Sequence, residues 1–440
     1  MIEYRNLRVA ILGGGSVGAQ VAALLLEHSA ELAARAGAGL ELVGVAVRNP
    51  DAIRDTEIPQ ELITTDAESL ILGADIVVEL IGGIEPARSY ILQALNSGAD
   101  VVTANKAVLA NHGPELFAAA EQVGAQLYYE AAVGGAIPII RPLRDSLAGD
   151  RVKRILGIVN GTTNYILDRM DTQGDSLADA LAEATRLGYA EADPTADVEG
   201  FDAAQKAAIL ASLAFHTAVP LSSVHREGIT GITSEAVLAA RKAGYVVKLL
   251  AICERFTDTA TGVEGVAARV HPALVPVNHP LASVHGANNA VFVEAEAAGD
   301  LMFYGAGAGG IETASAVLGD LVSAARRHVA GGPGVAESTR SNLPVLPMSS
   351  VTTRYQITLS VIDEPGVLAT IARLFSDHGV SVEAVSQSVR DSAPAAQPTA
   401  TLVIVTHQAG ESSLASTVAA LGESSVVSSV VSVLRVEGLQ

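Results

Sequence analysis

The segment that most constrains this chain is RVAIL, running straight into GGGSVG and then into the apolar helical pattern VGAQVAALLLEH. Gly13, Gly15 and Gly18 fit GxGxxG, with a strand before the motif and a helix after it. That order serves three needs of a dinucleotide site: a tight turn, close backbone approach to a pyrophosphate, and close packing of helix on strand. The helix amino terminus adds a favourable field for the phosphate charge. An ordinary glycine-rich turn needs none of these together, so the spacing predicts a nucleotide loop with Ser16 and Val17 at the start of its helix.

From 7 to 140 the chain keeps alternating short β-branched runs (ELVGVAV, ADIVVELI, DVVTAN, QLYYEAAV) with helical patterns (ARSYILQALNSG, GPELFAAAEQVG). This βαβα rhythm predicts an α/β fold, a parallel Rossmann-type sheet covered by helices, over 1–149. The rhythm changes at 150. RVKRILGIVNG has a strand pattern, alanine-rich helices follow, and HPALVPV and AVFVEAEAAGDLMFYG precede a last helix, TASAVLGDLVSAARRH. An α+β unit over 150–328 is expected. Residues 329–353 are rich in Gly, Ser and Pro and are expected to form a linker. Beyond it, 354–440 has the order βαββαβ of a small ferredoxin-like module.

The formal net charge of -20 opposes long-range attraction to phosphate backbones or anionic lipid, and no apolar run is long enough to span a membrane. Neither nucleic acid nor membrane is an expected partner. No secretory signal precedes the first strand, so a cytoplasmic location is expected. The single cysteine, Cys253, sits in the apolar stretch YVVKLLAICERF and is expected in a core. His271, His279 and His285 lie in irregular sequence without metal-ligand spacing, and no GxSxG elbow is present.

The second strand ends at Val47 and is followed by Arg48 in place of the acidic residue that holds an NAD ribose hydroxyl. A guanidinium there suits a 2'-phosphate, which favours NADP and leaves dual use of NAD open. Downstream, 188–206 (GYAEADPTADVEGFDAAQK) crowds Glu191, Asp193, Asp197, Glu199 and Asp202 around one base, Lys206. On a helix from about 198 to 215, Asp202 and Lys206 share a stripe with Ile209 and Leu213, so the pair faces inward. A partly desolvated charge pair of this kind needs further partners or a ligand.

The stretch AEATRLGYAEADPTADVEGFDAAQK resembles the signature of the homoserine dehydrogenase family, as do TANKAVLA, YEAAVGGAIPII, VNGTTNYIL and the FYGAGAGG and TASAVLGD segments, in family order over 7 to 325. The resemblance implies that Lys206 is the acid/base, that Asp202 and Glu191 bind and orient homoserine beside Gly188 and Tyr189, and that Lys106 lies near the nicotinamide. It places Thr103, Gly188 and Gly307 in the dinucleotide site. It further implies a monovalent cation such as sodium on Glu130 and the carbonyls of Val133, Gly135 and Ile137. Chemically, a lysine ammonium can supply the proton that an aldehyde reduction requires, and its neutral form can remove the hydroxyl proton in the reverse direction. Homoserine oxidation should therefore accelerate toward alkaline pH. Asp193, Asp197 and Glu199 are expected to serve the loop and helix start.

The segment VIDEPGVLATIARLFSDHGVSVEAV resembles an ACT domain. That likeness implies threonine as an effector held near Asp363, Gly366, Val367 and Leu368, and a homo-oligomer, dimer or tetramer, with ACT modules paired across subunits. A helix amino terminus with free N–H groups suits an amino-acid carboxylate; a ligand-free dimerisation module is the alternative. The whole reading is a monofunctional homoserine dehydrogenase interconverting L-aspartate 4-semialdehyde and L-homoserine with NAD(P)H, toward threonine and methionine. Two alternatives stand beside it: a dehydrogenase for another amino acid, and an amino-acid sensor that keeps the nucleotide fold as a scaffold.

Overall fold

A computed structural model describes residues 5–54, 56–259, 261–337, 341–389 and 399–438. Six parallel strands form the first sheet: β1 (Leu7–Leu12), β2 (Leu40–Ala46), β3 (Ile63–Thr64), β4 (Ile76–Glu79), β5 (Asp100–Thr103) and β6 (Leu127–Tyr128), in the order β3-β2-β1-β4-β5-β6. The order reverses between β1 and β4, so a ligand crevice opens at the carboxyl ends of these strands. The connecting helices are α1 (Ser16–Glu27), α2 (Ser29–Ala36), α3 (Ala67–Leu72), α4 (Ala87–Asn96) and α5 (Lys106–Val123), with one turn, α6 (Ala131–Gly134), after β6. Strand β1 is buried on both faces. Val9 and Ile11 pack toward α1, and Ala10 and Leu12 pack toward the opposite core. A continuous apolar run such as RVAIL is what a central parallel strand requires.

The second unit contains β7 (Val152–Ile158), α7 (Gly161–Gln173), α8 (Leu177–Arg186), α9 (Thr195–Val198), α10 (Phe201–Ala214), β8 (His225–Arg226), α11 (Ser234–Lys242), β9 (Tyr245–Thr257), β10 (Glu264–Pro276), β11 (Asn288–Ala295), β12 (Gly299–Ala306) and α12 (Gly310–Ala330). Three details differ from the sequence expectation. The single helix expected from 198 is broken into α9 and α10 at Gly200, which takes a left-handed φ of 78°. The stretch around Cys253 is the long strand β9, paired with both β7 and β10, and its apolar run lacks the alternation that would have marked it. Cys253 is fully buried as expected, and burial pushes its thiol up to about 12. Helix α12 follows β12 in the chain but packs on α1 and α2, where Ala314, Val317, Leu321 and Ala324 join the core of the first sheet.

The third unit runs β13 (Thr352–Ile362), α13 (Val367–Asp377), β14 (Val382–Val389), β15 (Thr399–Thr406), β16 (Ala409–Gly410), α14 (Glu411–Glu423) and β17 (Val427–Val436). Apart from the short β16 this is the expected βαββαβ order. Its sheet does not stand apart. Strand β17 pairs in parallel with β10 through Ala273 with Arg435 and Leu274 with Val436, which joins both units into one 11-stranded sheet. Buried charges lock this joint: Glu437 meets Arg154 and Arg269, Arg269 also holds Glu254, and Arg435 holds Glu411 and Glu227. The Pro- and Gly-rich connection is tied down as well. Pro344 and Leu346 bond the backbone of Val266, and Glu337 pairs with Arg144.

Candidate active site

Three chain segments converge at the carboxyl end of the first sheet. At the first, Gly13 adopts a φ of 105°, and a Cβ there would lie 2.6 Å from the Leu80 carbonyl oxygen; a Cβ on Gly18 would lie 1.9 Å from the Gly13 oxygen. The loop is thus packed between two strands with room only for glycine. At Gly15 the backbone faces open space, and Ser16 opens α1. Such a cradle fits a dinucleotide pyrophosphate. Val17, the second residue of α1, packs against the core, and Arg48 is exposed just past β2. Arg54 folds back from the next loop onto Gly14, its guanidinium bonded to the carbonyls of Asn49, Pro50 and Ala52.

The second segment leaves β5. Thr103 is fully buried, and its hydroxyl donates to Glu79 (2.7 Å) and accepts from the Asn105 N–H (3.0 Å). Its side chain therefore braces the strand end. Asn105 caps α5 through the Val108 N–H and donates to the Gly83 carbonyl, which fixes Lys106 as the first helical residue. From there the Lys106 ammonium reaches Asp202 at 3.1 Å.

The third segment holds the acid/base candidates. Lys206, on α10, donates to the Val159 carbonyl (2.6 Å) and pairs with Asp202 (2.8 Å); below it on the same stripe Ile209 and Leu213 are buried, as the helix phase requires. Asn160, the cap of α7, donates to both Asp202 (3.0 Å) and Asp197 (2.6 Å). Burial disfavours charge on Asp202, but Lys206 and Lys106 outweigh it and hold the carboxyl far below its ordinary range. Asp202 is thus an ionised hinge between two ammonium groups, with two of the three Lys206 donors engaged and the third available for a substrate oxygen.

Asp197, assigned above to helix-start structure, belongs to this cluster, and burial pushes its carboxyl up. Asn160 also had no role in the sequence reading. The usable signal was VNGTTN itself, because an Asn at a strand end before a helix is a cap with a free amide. Glu191, by contrast, is exposed on the loop between α8 and α9 and is not drawn into the hydrogen-bonded cluster. Gly188 follows α8, and Tyr189, about half exposed, sets its ring at a tilt against Tyr165 while its carbonyl accepts from Thr162.

The Glu130 carboxylate accepts the N–H groups of Ile139, Ile140 and Arg141 and the Arg141 guanidinium. Both of its oxygens are engaged. A cation at this turn would therefore rest on the carbonyls of Val133, Gly135 and Ile137. The turn itself abuts the glycine-rich loop at 305–309: a Cβ on Gly135 would lie 2.5 Å from the Gly307 carbonyl, and Ala136 donates to Ala306. The three histidines are accounted for locally. His271 is buried among Arg269, Arg435 and Glu437, His279 accepts from the Leu281 N–H, and His285 pairs with Asp168. Among the described residues no helix is long and apolar enough to cross a membrane.

Comparison with known proteins adds three family matches: homoserine dehydrogenase over 138–322, its NAD-binding domain over 13–130, and the ACT domain over 355–423. A homoserine dehydrogenase of Corynebacterium glutamicum is 55% identical over 98% of this chain and 95% of its own length. The crystal structure of a homoserine dehydrogenase from Thiobacillus denitrificans superposes with a TM-score of 0.90 at 38% identity, covering 99% of each chain. A hyperthermophilic archaeal homoserine dehydrogenase in complex with NADPH matches with a TM-score of 0.61 at 28% identity, over 74% of this chain and 99% of that one.

Proposed function

The chain belongs to the homoserine dehydrogenase family of oxidoreductases, and from that premise we propose that it interconverts L-homoserine and L-aspartate 4-semialdehyde at the Lys206 cluster, with NADP preferred and NAD as second choice, toward threonine and methionine. The observation that carries the reading is Asp202 held between Lys206 and Lys106 at the mouth of the dinucleotide crevice. The dinucleotide supplies the hydride exchange at its nicotinamide. Lys206, neutral, takes the hydroxyl proton in oxidation; as ammonium it returns that proton and stabilises the developing oxyanion. Lys106 adds positive charge next to the same oxygen, and Asp202 fixes both lysines. Asp197 and Glu191 offer carboxylates to the substrate ammonium, with Gly188 and Tyr189 shaping that end. Gly13, Gly15, Ser16, Val17 and Gly18 hold the pyrophosphate, Arg48 meets the 2'-phosphate, and Thr103 and Gly307 frame the nicotinamide side. The archaeal relative's NADPH complex supports the dinucleotide class.

A monovalent cation such as sodium on the Val133, Gly135 and Ile137 carbonyls would stiffen the turn beneath Gly307. The test is homoserine-dependent reduction of NADP and of NAD, followed spectrophotometrically. NADP should be reduced at the lower KM. A folded protein that reduces neither, and does not consume NADPH with the semialdehyde, sinks the proposal.

Threonine is the proposed effector, bound by the turn of Asp363 and Gly366 at the start of α13, with Val367 buried beneath and Leu368 exposed beside it. The assembly proposed is a dimer or tetramer with paired ACT modules. What supports regulation is the joint: Arg435 on β17 holds Glu227, whose neighbour Arg226 lies over the Phe201 ring at 3.5 Å. Phe201 is the first residue of α10, which carries Asp202 and Lys206. Threonine should therefore slow turnover by the full chain and raise its melting temperature, and an unchanged rate and an unchanged melt would leave the module as a dimerisation unit only.

A further inference from the structure

Asn289 is the second residue of strand β11, and its side chain is buried to within 1% of full enclosure. Neither its Nδ2 nor its Oδ1 has a hydrogen-bond partner. A buried amide with both ends unsatisfied is rare and requires an explanation. Its surroundings supply one. A Cβ placed on Gly307 would fall 1.8 Å from Nδ2, so the Gly307 backbone lies directly on the amide, and a Cβ on Gly161 would stand 3.5 Å from Oδ1. Gly161 opens α7 immediately after Asn160, the residue that holds Asp202 and Asp197. On its other side Gly307 is pressed against Gly135. The Asn289 amide is thus wedged between the loop at 305 to 309 and the start of α7, where Asn160 donates to the carboxylates of Asp197 and Asp202.

We propose that Asn289 is a positioning residue for the nicotinamide half of the dinucleotide, acting through Gly307. With a dinucleotide bound, peptide groups of the loop at 305 to 309 would take the free donor and acceptor of the amide and hold Gly307 in its seat against Gly135. The same geometry explains why position 307 is glycine: any side chain would occupy the space of the amide. This proposal rests on the dinucleotide reading above.

Two variants test it, Asn289→Leu, close in volume and without polar atoms, and Asn289→Ala. An apolar side chain of similar shape removes two unsatisfied buried groups, so Asn289→Leu should melt at the wild-type temperature or above it. It should nevertheless raise the KM and Kd for NADP about tenfold, the worth of roughly one buried hydrogen bond, with the KM for homoserine little changed. Asn289→Ala should weaken NADP in the same way. NADP affinity equal to wild type in both variants overturns the proposal. So does weaker binding accompanied by a lower melting temperature in both, because that marks a structural role. Wild-type protein that binds no NADP would instead remove the dinucleotide reading itself.

Discussion

Replacing Lys206 by alanine is expected to lower kcat by about 10³-fold to 10⁴-fold, combining loss of the proton carrier with loss of a charge facing the developing oxyanion. The structure makes this substitution informative because it leaves the rest of the site standing. Asp202 keeps its contacts to Lys106 and Asn160. The Kd for NADP, measured by fluorescence quenching, should therefore stay near the wild-type value while turnover collapses. In the wild type the rate of homoserine oxidation should climb with pH, because the reaction in that direction releases the hydroxyl proton. In the variant that climb should vanish. A Lys206→Ala protein that retains both the rate and the alkaline rise would move the proton to another group, Lys106 being the nearest alternative at 3.1 Å from the shared carboxylate.

The nucleotide half of the molecule was legible because its signals are local. A strand, a glycine loop and a helix in direct succession specify a unit whose parts touch each other, and β1 through α1 adopt that form. The Asp202 and Lys206 pair was legible for the same reason, since four residues on one helix share a face. What escaped was set by contacts between distant segments. Asp197 joins the site through Asn160, 37 positions away, and although VNGTTN marks Asn160 as a helix cap, no local pattern says which carboxylates its amide meets. The break at Gly200 escaped because glycine inside an apolar periodic run is an ambiguous signal, and only the backbone shows the left-handed φ that calls for it. The return of α12 to the first sheet and the fusion of β17 with β10 are tertiary facts, invisible to periodicity. Glu130 shows how far a resemblance reaches: it located the turn, but only the structure shows its carboxylate satisfied by amides from Ile139 to Arg141.

The second large effect concerns the joint between β10 and β17. Glu437 follows β17 directly and is buried against Arg154 and Arg269, themselves largely enclosed. Glu437→Ala would leave two guanidinium groups without this carboxylate, and removing one partner of a buried ion cluster costs about 3–5 kcal/mol. Glu437→Gln keeps the shape and should cost less. The acid limb of the stability curve separates charge from shape. Burial alone would push the Glu437 carboxyl up, but Arg154 and Arg269 outweigh it and hold it below its ordinary range. A carboxyl with a depressed folded value binds protons more readily when unfolded, so its stabilisation is complete above the unfolded value of about 4.3 and is lost as pH falls toward the folded one. Asp202 and Glu227 are depressed likewise and add to the wild-type acid loss. Melting curves of wild type and Glu437→Gln from about pH 6 down to about pH 3 should therefore converge as the medium becomes acidic, with the widest gap at the neutral end. Parallel curves would show that Glu437 contributes packing and no charge. Because β17 continues the same sheet as β10, the loss should also reach the β10 side, and the Glu437→Ala protein should shed the cooperativity of its two carboxy-terminal units before either unit melts alone.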